Sequence, residues 1–132
     1  TIKGKRILLV EDNELNAEIA KTVLEEVGAL ITRAENGQQA VELFKEKPAG
    51  TFDAILMDLM MPVMDGYTAT RKIRSLEHSD AKTIPIIAMT ANAFQEDAEK
   101  CIAVGMNAHL AKPLDIEKMM ITICRLVKKE NE

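Results

Sequence analysis

Three short segments are apolar at every position: Ile7-Leu8-Leu9-Val10, Ala54-Ile55-Leu56-Met57 and Ile86-Ile87-Ala88-Met89. Runs of that length and uniformity suit strands covered on both faces, because a strand with one wet face would alternate. Ala29 to Ala34, rich in β-branched residues, and Ala108 to Ala111 fit the same spacing as weaker strands. Between these segments the period becomes helical. Leu15, Ile19, Val23 and Val27 mark a first helix that Gly28 stops. Ala40, Val41 and Phe44 mark a second, closed by Pro48, and Tyr67 to Leu76 a third. Ala93 to Val104, ending at Gly105, is a fourth and Ile116 to Val127 a fifth. Asn36, Asn92 and Asp115 stand where N-caps belong. Strand and helix alternate, so the pattern predicts an α/β fold of the (βα)5 kind. Its open parallel sheet would have strand order 2-1-3-4-5, right-handed crossovers and helices on both faces.

In such a sheet, ligands bind beyond the carboxyl ends of the strands, near the point where strand order reverses. The first run ends in Glu11-Asp12, the third strand in Asp58, the fourth in Thr90 and the fifth in Lys112-Pro113. Three acids, a hydroxyl and an ammonium therefore meet at one edge. Neighbouring carboxylates repel unless a cation sits among them, and a hard divalent ion with oxygen ligands, Mg2+ or Mn2+, fills that role. An Asp carboxylate is a competent nucleophile toward phosphorus, and metal plus lysine stabilise charge on the transferring oxygens. Asp58, ending the middle strand, is the expected phosphoacceptor. Lys112 and Thr90 would bond the phosphoryl oxygens, and the backbone carbonyl of Met60 would complete the metal ligands of Glu11, Asp12 and Asp58. Any one of these residues alone reads as a cap or a turn, Asp65 included; the combination is what carries chemistry.

Composition narrows the setting. The 132 residues are 47% apolar and 29% charged, enough for one globular domain, expected over 1–132. No apolar run approaches the length of a spanning helix, and the N-terminus has no secretory h-region, so a cytoplasmic setting without direct membrane contact is expected. The missing initiator Met fits a segment of a longer polypeptide, such as the cytoplasmic portion of a membrane-anchored protein. A net charge of −4, no Trp and one Tyr argue against nucleic acid as a partner. Cys101 and Cys124 lie in apolar-periodic segments without metal or redox spacing, as reduced core thiols would.

The segments Ile7-Leu-Leu-Val-Glu-Asp-Asn13, Asp58-Leu-Met-Met-Pro-Val-Met-Asp-Gly66, Ala88-Met-Thr-Ala-Asn92 and Gly105-Met-Asn-Ala-His-Leu-Ala-Lys-Pro113 follow one another in the order and spacing of the response-regulator receiver domain. The chain resembles that flavodoxin-like family over nearly its whole length. The resemblance implies that Glu11 and Asp12 are the acidic pair for Mg2+, Asp58 the phosphorylation site, Thr90 the switch hydroxyl and Lys112 the phosphate-contacting lysine. It further implies a cis peptide at Pro113, and Gly66 opening the third helix. Glu11 stands where Asp is frequent. His109 stands where the family often has Tyr or Phe, a ring that swings inward with the threonine; the imidazole is either a smaller, titratable rotor or a strand-end residue without a switching role.

The stretches Asn13-Glu-Leu-Asn16 and Thr90-Ala-Asn-Ala-Phe94 look like receivers fused to hybrid sensor histidine kinases. The resemblance therefore implies a histidine kinase or histidine phosphotransfer domain as partner, and a monomer or weak dimer. The domain would promote its own phosphorylation and dephosphorylation without being a kinase. Docking is expected on the first helix, through Leu15, Ala17, Ile19 and Ala20, with Ile19 the residue most given to packing. The methionines near the acceptor, Met57, Met60, Met61 and Met64, are either adaptable contact surface or core filler, with Met57 expected in the core and Met64 at the surface. An aspartyl phosphohydrolase would need a second acid where Met60 stands, and a flavin carrier would need a glycine- and hydroxyl-rich loop where Glu11-Asp12-Asn13-Glu14 stands. A degenerate receiver serving only as an interaction module is the remaining alternative.

Overall fold

The computed structural model describes residues 2–91, 95–112 and 114–130, with side chains left out of account at 95–97 and 128–130. Its elements alternate as expected: β1 (Arg6–Val10), α1 (Glu14–Glu26), β2 (Leu30–Ala34), α2 (Gly37–Glu46), β3 (Ala54–Asp58), α3 (Gly66–Arg74), β4 (Ile86–Thr90), α4 (Gln95–Val104), β5 (Ala108–Ala111) and α5 (Ile116–Glu130). The strands are all parallel, in the order β2-β1-β3-β4-β5. The uniformly apolar runs are the inner strands. Ile7 to Val10 and all of β3 and β4 are buried, whereas edge strand β2 alternates exposed with half-buried positions until Ala34.

Successive side chains of a strand point to opposite faces, and this divides the core in two. Leu8, Val10, Ile55, Met57, Ile86 and Ala88 join Phe44 of α2 and Ile73 of α3 on one face. Ile7, Leu9, Leu56, Ile87 and Met89 meet Leu24 of α1 and Met119 and Ile123 of α5 on the other. Cys101 is buried in the first core and Cys124 packs half-buried against the second; neither is in a disulfide.

Local chemistry sets the helix ends. Asn13, Asn36 and Asp65 each accept a hydrogen bond from the amide three residues on, at 2.8–2.9 Å, and Asp115 accepts from Lys118 at 3.2 Å. Asn36 and Asp115 were expected in this role, and Asp65 proves to be the cap residue that its isolated reading implied. Asn92 lies outside the described residues. After α1 the amide of Gly28 bonds to Glu25 and that of Ala29 reaches back to Leu24; Gly105 and Met106 repeat the arrangement on Ile102 and Cys101. Both glycines have positive φ, +94° and +107°, as such a helix stop requires.

Two expectations about packing are corrected. The buried stripe of α1 is Ala17, Ala20 and Leu24, while Leu15 and Ile19 are 69% and 56% exposed. Small residues let the helix lie close to the sheet, so Ala17 packs and the branched Ile19 is left outside. Met64 is half-buried against the first core, because its side chain lies along Gly37 at the start of α2. Met57 is fully buried, as expected, and Met60 is exposed.

Candidate functional site

Register alone brings the acids together. Val10 lies opposite Met57, so the next residues, Glu11 and Asp58, leave the sheet side by side. Asp58 lies opposite Met89 and Thr90 opposite Ala111, so Lys112 emerges one step beyond the end of β4. Its backbone amide is fastened to the Thr90 carbonyl at 2.8 Å. Four strand ends thus converge on a single pocket mouth.

Within it, Lys112 Nζ sits 2.9 Å from Glu11 Oε1 and 3.1 Å from Asp58 Oδ2. The second oxygen of each carboxylate is held by backbone: Asn13 N–H donates to Glu11 Oε2 and Met60 N–H to Asp58 Oδ1, both at 3.2 Å. Glu11, Asp58 and Thr90 are each only 3% exposed, while Asp12 faces solvent. Carboxylate oxygens of Glu11, Asp12 and Asp58 lie within 4.8 Å of one another.

One ammonium among three carboxylates leaves the site short of positive charge. Burial pushes the Glu11 carboxyl above the usual carboxylate range; nearby Asp58 adds to this, and the bonds from Lys112 and the Asn13 amide do not cancel it. Burial would lower the Lys112 ammonium, yet its bonds to Glu11 and Asp58 win and hold it above its ordinary value. All the acid donors are hard oxygens, two of them largely dehydrated. That set fits a small divalent cation, which would replace repulsion with shared coordination.

The response regulator receiver domain family matches this chain over residues 7–124. The chain belongs to that family. Several of its curated relatives are histidine kinases. Histidine kinase 1 of Arabidopsis thaliana is 38% identical over 97% of this chain, and hybrid signal transduction histidine kinase B of Dictyostelium discoideum is 41% identical over 96%. The chain spans 13% and 7% of those proteins, so it corresponds to one segment of each. Among solved structures, the receiver domain of a sensor histidine kinase from Pseudomonas aeruginosa, with magnesium coordinated in its active-site cleft, superposes with a TM-score of 0.84 at 42% identity. That match covers 95% of this chain and 98% of the other. The receiver of the response regulator Ssk1 of Saccharomyces cerevisiae, crystallised with the histidine phosphotransfer protein Ypd1, gives a TM-score of 0.87 at 30% identity, covering 98% and 93%.

Gly66 does open α3, and its amide closes the loop on the Leu59 carbonyl at 3.1 Å. A Cβ at Gly66 would collide with the Asp58 carbonyl oxygen and the Leu59 Cα, so this glycine lets the helix start directly beneath the acceptor's peptide. His109 lies half-buried on β5, opposite Ala88. Pro113, expected to follow a cis bond, lies outside the described residues.

Sequence reasoning missed two participants. Asn13 caps α1 and also donates to Glu11, a double role that its place directly after the acidic pair would have allowed one to find. Arg33, on edge strand β2, reaches the acidic loop from the side; no local sequence signal marks it.

Proposed function

We propose that this receiver domain accepts a phosphoryl group from a phosphohistidine on Asp58 in the presence of Mg2+, and passes it on to a second histidine or to water. The observation that carries the reading is the single Lys112 ammonium held by both Glu11 and Asp58, with Asp12 close enough to complete a three-acid cluster. Support comes also from the Pseudomonas receiver with magnesium in its cleft, a domain of the same fold and 42% identical.

Glu11, Asp12, Asp58 and the Met60 carbonyl would hold the ion, which when bound supplies charge neutralisation for the acids and the phosphoryl oxygens. A carboxylate oxygen of Asp58 attacks phosphorus. The new O–P bond forms as the P–N bond to the donor imidazole breaks, and that imidazole departs, taking a proton from solvent. The Met60 amide steadies the acceptor carboxylate. Lys112, freed from its bond to Asp58 as that charge is transferred, follows it onto a phosphoryl oxygen. The Thr90 hydroxyl then engages another oxygen, drawing in the segment after β4, with His109 as the ring that follows.

The partner in this reading is a histidine phosphotransfer domain or histidine kinase, as the Ypd1 complex of a similar receiver and the kinase relatives support. Its landing area is α1, where Leu15 and Ile19 are exposed and Ile19 lines a groove of about 570 Å³ together with Leu9, Met89, Glu11 and Lys112. Among the described residues no helix is long and apolar enough to cross a membrane. We propose a cytoplasmic domain that is a monomer or weak dimer, and its net charge of −4 argues against nucleic acid as a partner.

The test is incubation with Mg2+ and acetyl phosphate, followed by intact mass and peptide mapping. One added phosphoryl group on the peptide containing Asp58, absent from Asp58→Asn, is expected. No added mass in the parent protein, or addition elsewhere, would overturn the assignment.

A further inference from the structure

Arg33 lies outside the acid, hydroxyl and lysine set, yet its guanidinium is attached to it. From half-buried Arg33 on edge strand β2, Nε and Nη2 donate to the Glu11 carbonyl at 3.2 and 3.0 Å. Nη2 also approaches the Asp12 carbonyl at 3.4 Å. Glu11's own amide is bonded to Ala34, the next residue of the same strand, at 3.1 Å. The peptide that carries both metal-site acids is therefore gripped by β2 through its N–H and its C=O. On the downstream side Asn13 is fixed by its cap on α1 and its bond to Glu11.

We infer that Arg33 is a positioning residue that sets the geometry of the acidic pair and thereby favours Mg2+ over larger divalent ions. The inference rests on the metal-dependent reading above. Its physical basis is that the fork binds carbonyls: among the described residues Arg33 pairs with no carboxylate. It leaves every acid oxygen available while fixing the backbone from which those acids project. Planar guanidinium geometry does this where a point charge cannot, since an ammonium would satisfy one carbonyl without holding the turn's orientation. Mg2+ demands near-ideal octahedral geometry, whereas Ca2+ accepts variable coordination number and longer bonds. Loosening the peptide therefore harms the smaller ion more.

The charge of Arg33 has the opposite effect, because a cation beside the site repels any dication. Arg33→Lys separates the two, keeping the charge and losing the fork. Titration calorimetry of the full chain with Mg2+ and, separately, Ca2+ reads the result. We expect Arg33→Lys to bind Mg2+ about tenfold more weakly, as loss of an outer-shell contact commonly does, with Ca2+ affinity nearly unchanged and a cooperative melt retained without metal. Arg33→Ala should behave likewise despite its relieved repulsion. Unchanged Mg2+ affinity in Arg33→Lys, equal weakening toward both ions, or tighter Mg2+ binding in Arg33→Ala would each overturn the inference. Should the parent protein bind no Mg2+, the metal-site reading itself fails, an outcome separate from a parent that binds and a variant that binds equally well.

Discussion

The most strained residue of the active-site loop is Val63. Its φ is +68°, the one positive value among the described non-glycine residues, and the Met64 amide bonds across it to Pro62 at 2.7 Å. This three-residue turn in its positive-φ form is disfavoured for any side chain with a Cβ and more so for a β-branched one. Nothing in packing repays the conformation, since Val63 is 82% exposed. The turn exists because the chain leaving Asp58 must double back within a few residues to start α3 beneath it. Backbone strain of this kind costs about 1–3 kcal/mol, and glycine's extra freedom when unfolded offsets about 0.5–1 kcal/mol of any relief. Val63→Gly should therefore raise the urea midpoint, a gain of about 0.5–2 kcal/mol, without altering the slope. A lowered midpoint would mean that Val63 makes a stabilising contact outside the turn.

Among the elements, α3 is the one whose placement bears most directly on the acceptor. Asp65 caps it, Gly66 closes the loop on Leu59, and the Thr70 hydroxyl donates to the Gly66 carbonyl at 2.8 Å inside the core. The contact between the start of this helix and the Asp58 peptide allows no Cβ. Gly66→Ala must displace either the helix or the end of β3, a distortion of the kind that costs about 1–3 kcal/mol. Because the Asp58 side chain moves with its peptide, the acetyl phosphate reaction should slow roughly tenfold or more in protein that remains folded. Phosphorylation at the parental rate would show that the helix yields and the strand does not. Element boundaries here were legible wherever a glycine, proline or cap residue marked them. The face of α1 was not: Leu15, Ile19, Val23 and Val27 form an apolar stripe in sequence, but close approach to the sheet selected the alanine-bearing stripe instead. Hydrophobic period gives a helix and its phase only when the largest apolar residues are also those at the contact.

At the scale of the molecule, the sheet order was readable because inner strands β1, β3 and β4 carry unbroken apolar runs, and Glu11 and Asp58 were readable because each directly follows such a run. What sequence could not show was support across strands. Arg33 reaches Glu11 from 22 residues away, and as an arginine on a polar-alternating edge strand it resembles any solvated side chain. The assembled result is a fold that gathers like charges at one rim, with Glu11 and Asp58 buried and a single ammonium between them. Such a molecule should gain stability from the ion it binds. An ion that binds only the folded state contributes about 2.7 kcal/mol at a hundred times its Kd. For a chain of this size that raises Tm by about 8–10 °C, and calorimetry across a Mg2+ series would read it. Asp12→Asn separates ligation from general salt effects, because exposed Asp12 adds to the repulsion without joining the Lys112 bonds. Without metal the variant should melt at or above the parent's Tm, since one repelling charge is gone; with Mg2+ its rise should be much smaller. Equal rises in the two proteins would remove Asp12 from the ligand set, and a variant less stable than the parent without metal would mean that Asp12 serves the fold before it serves the ion.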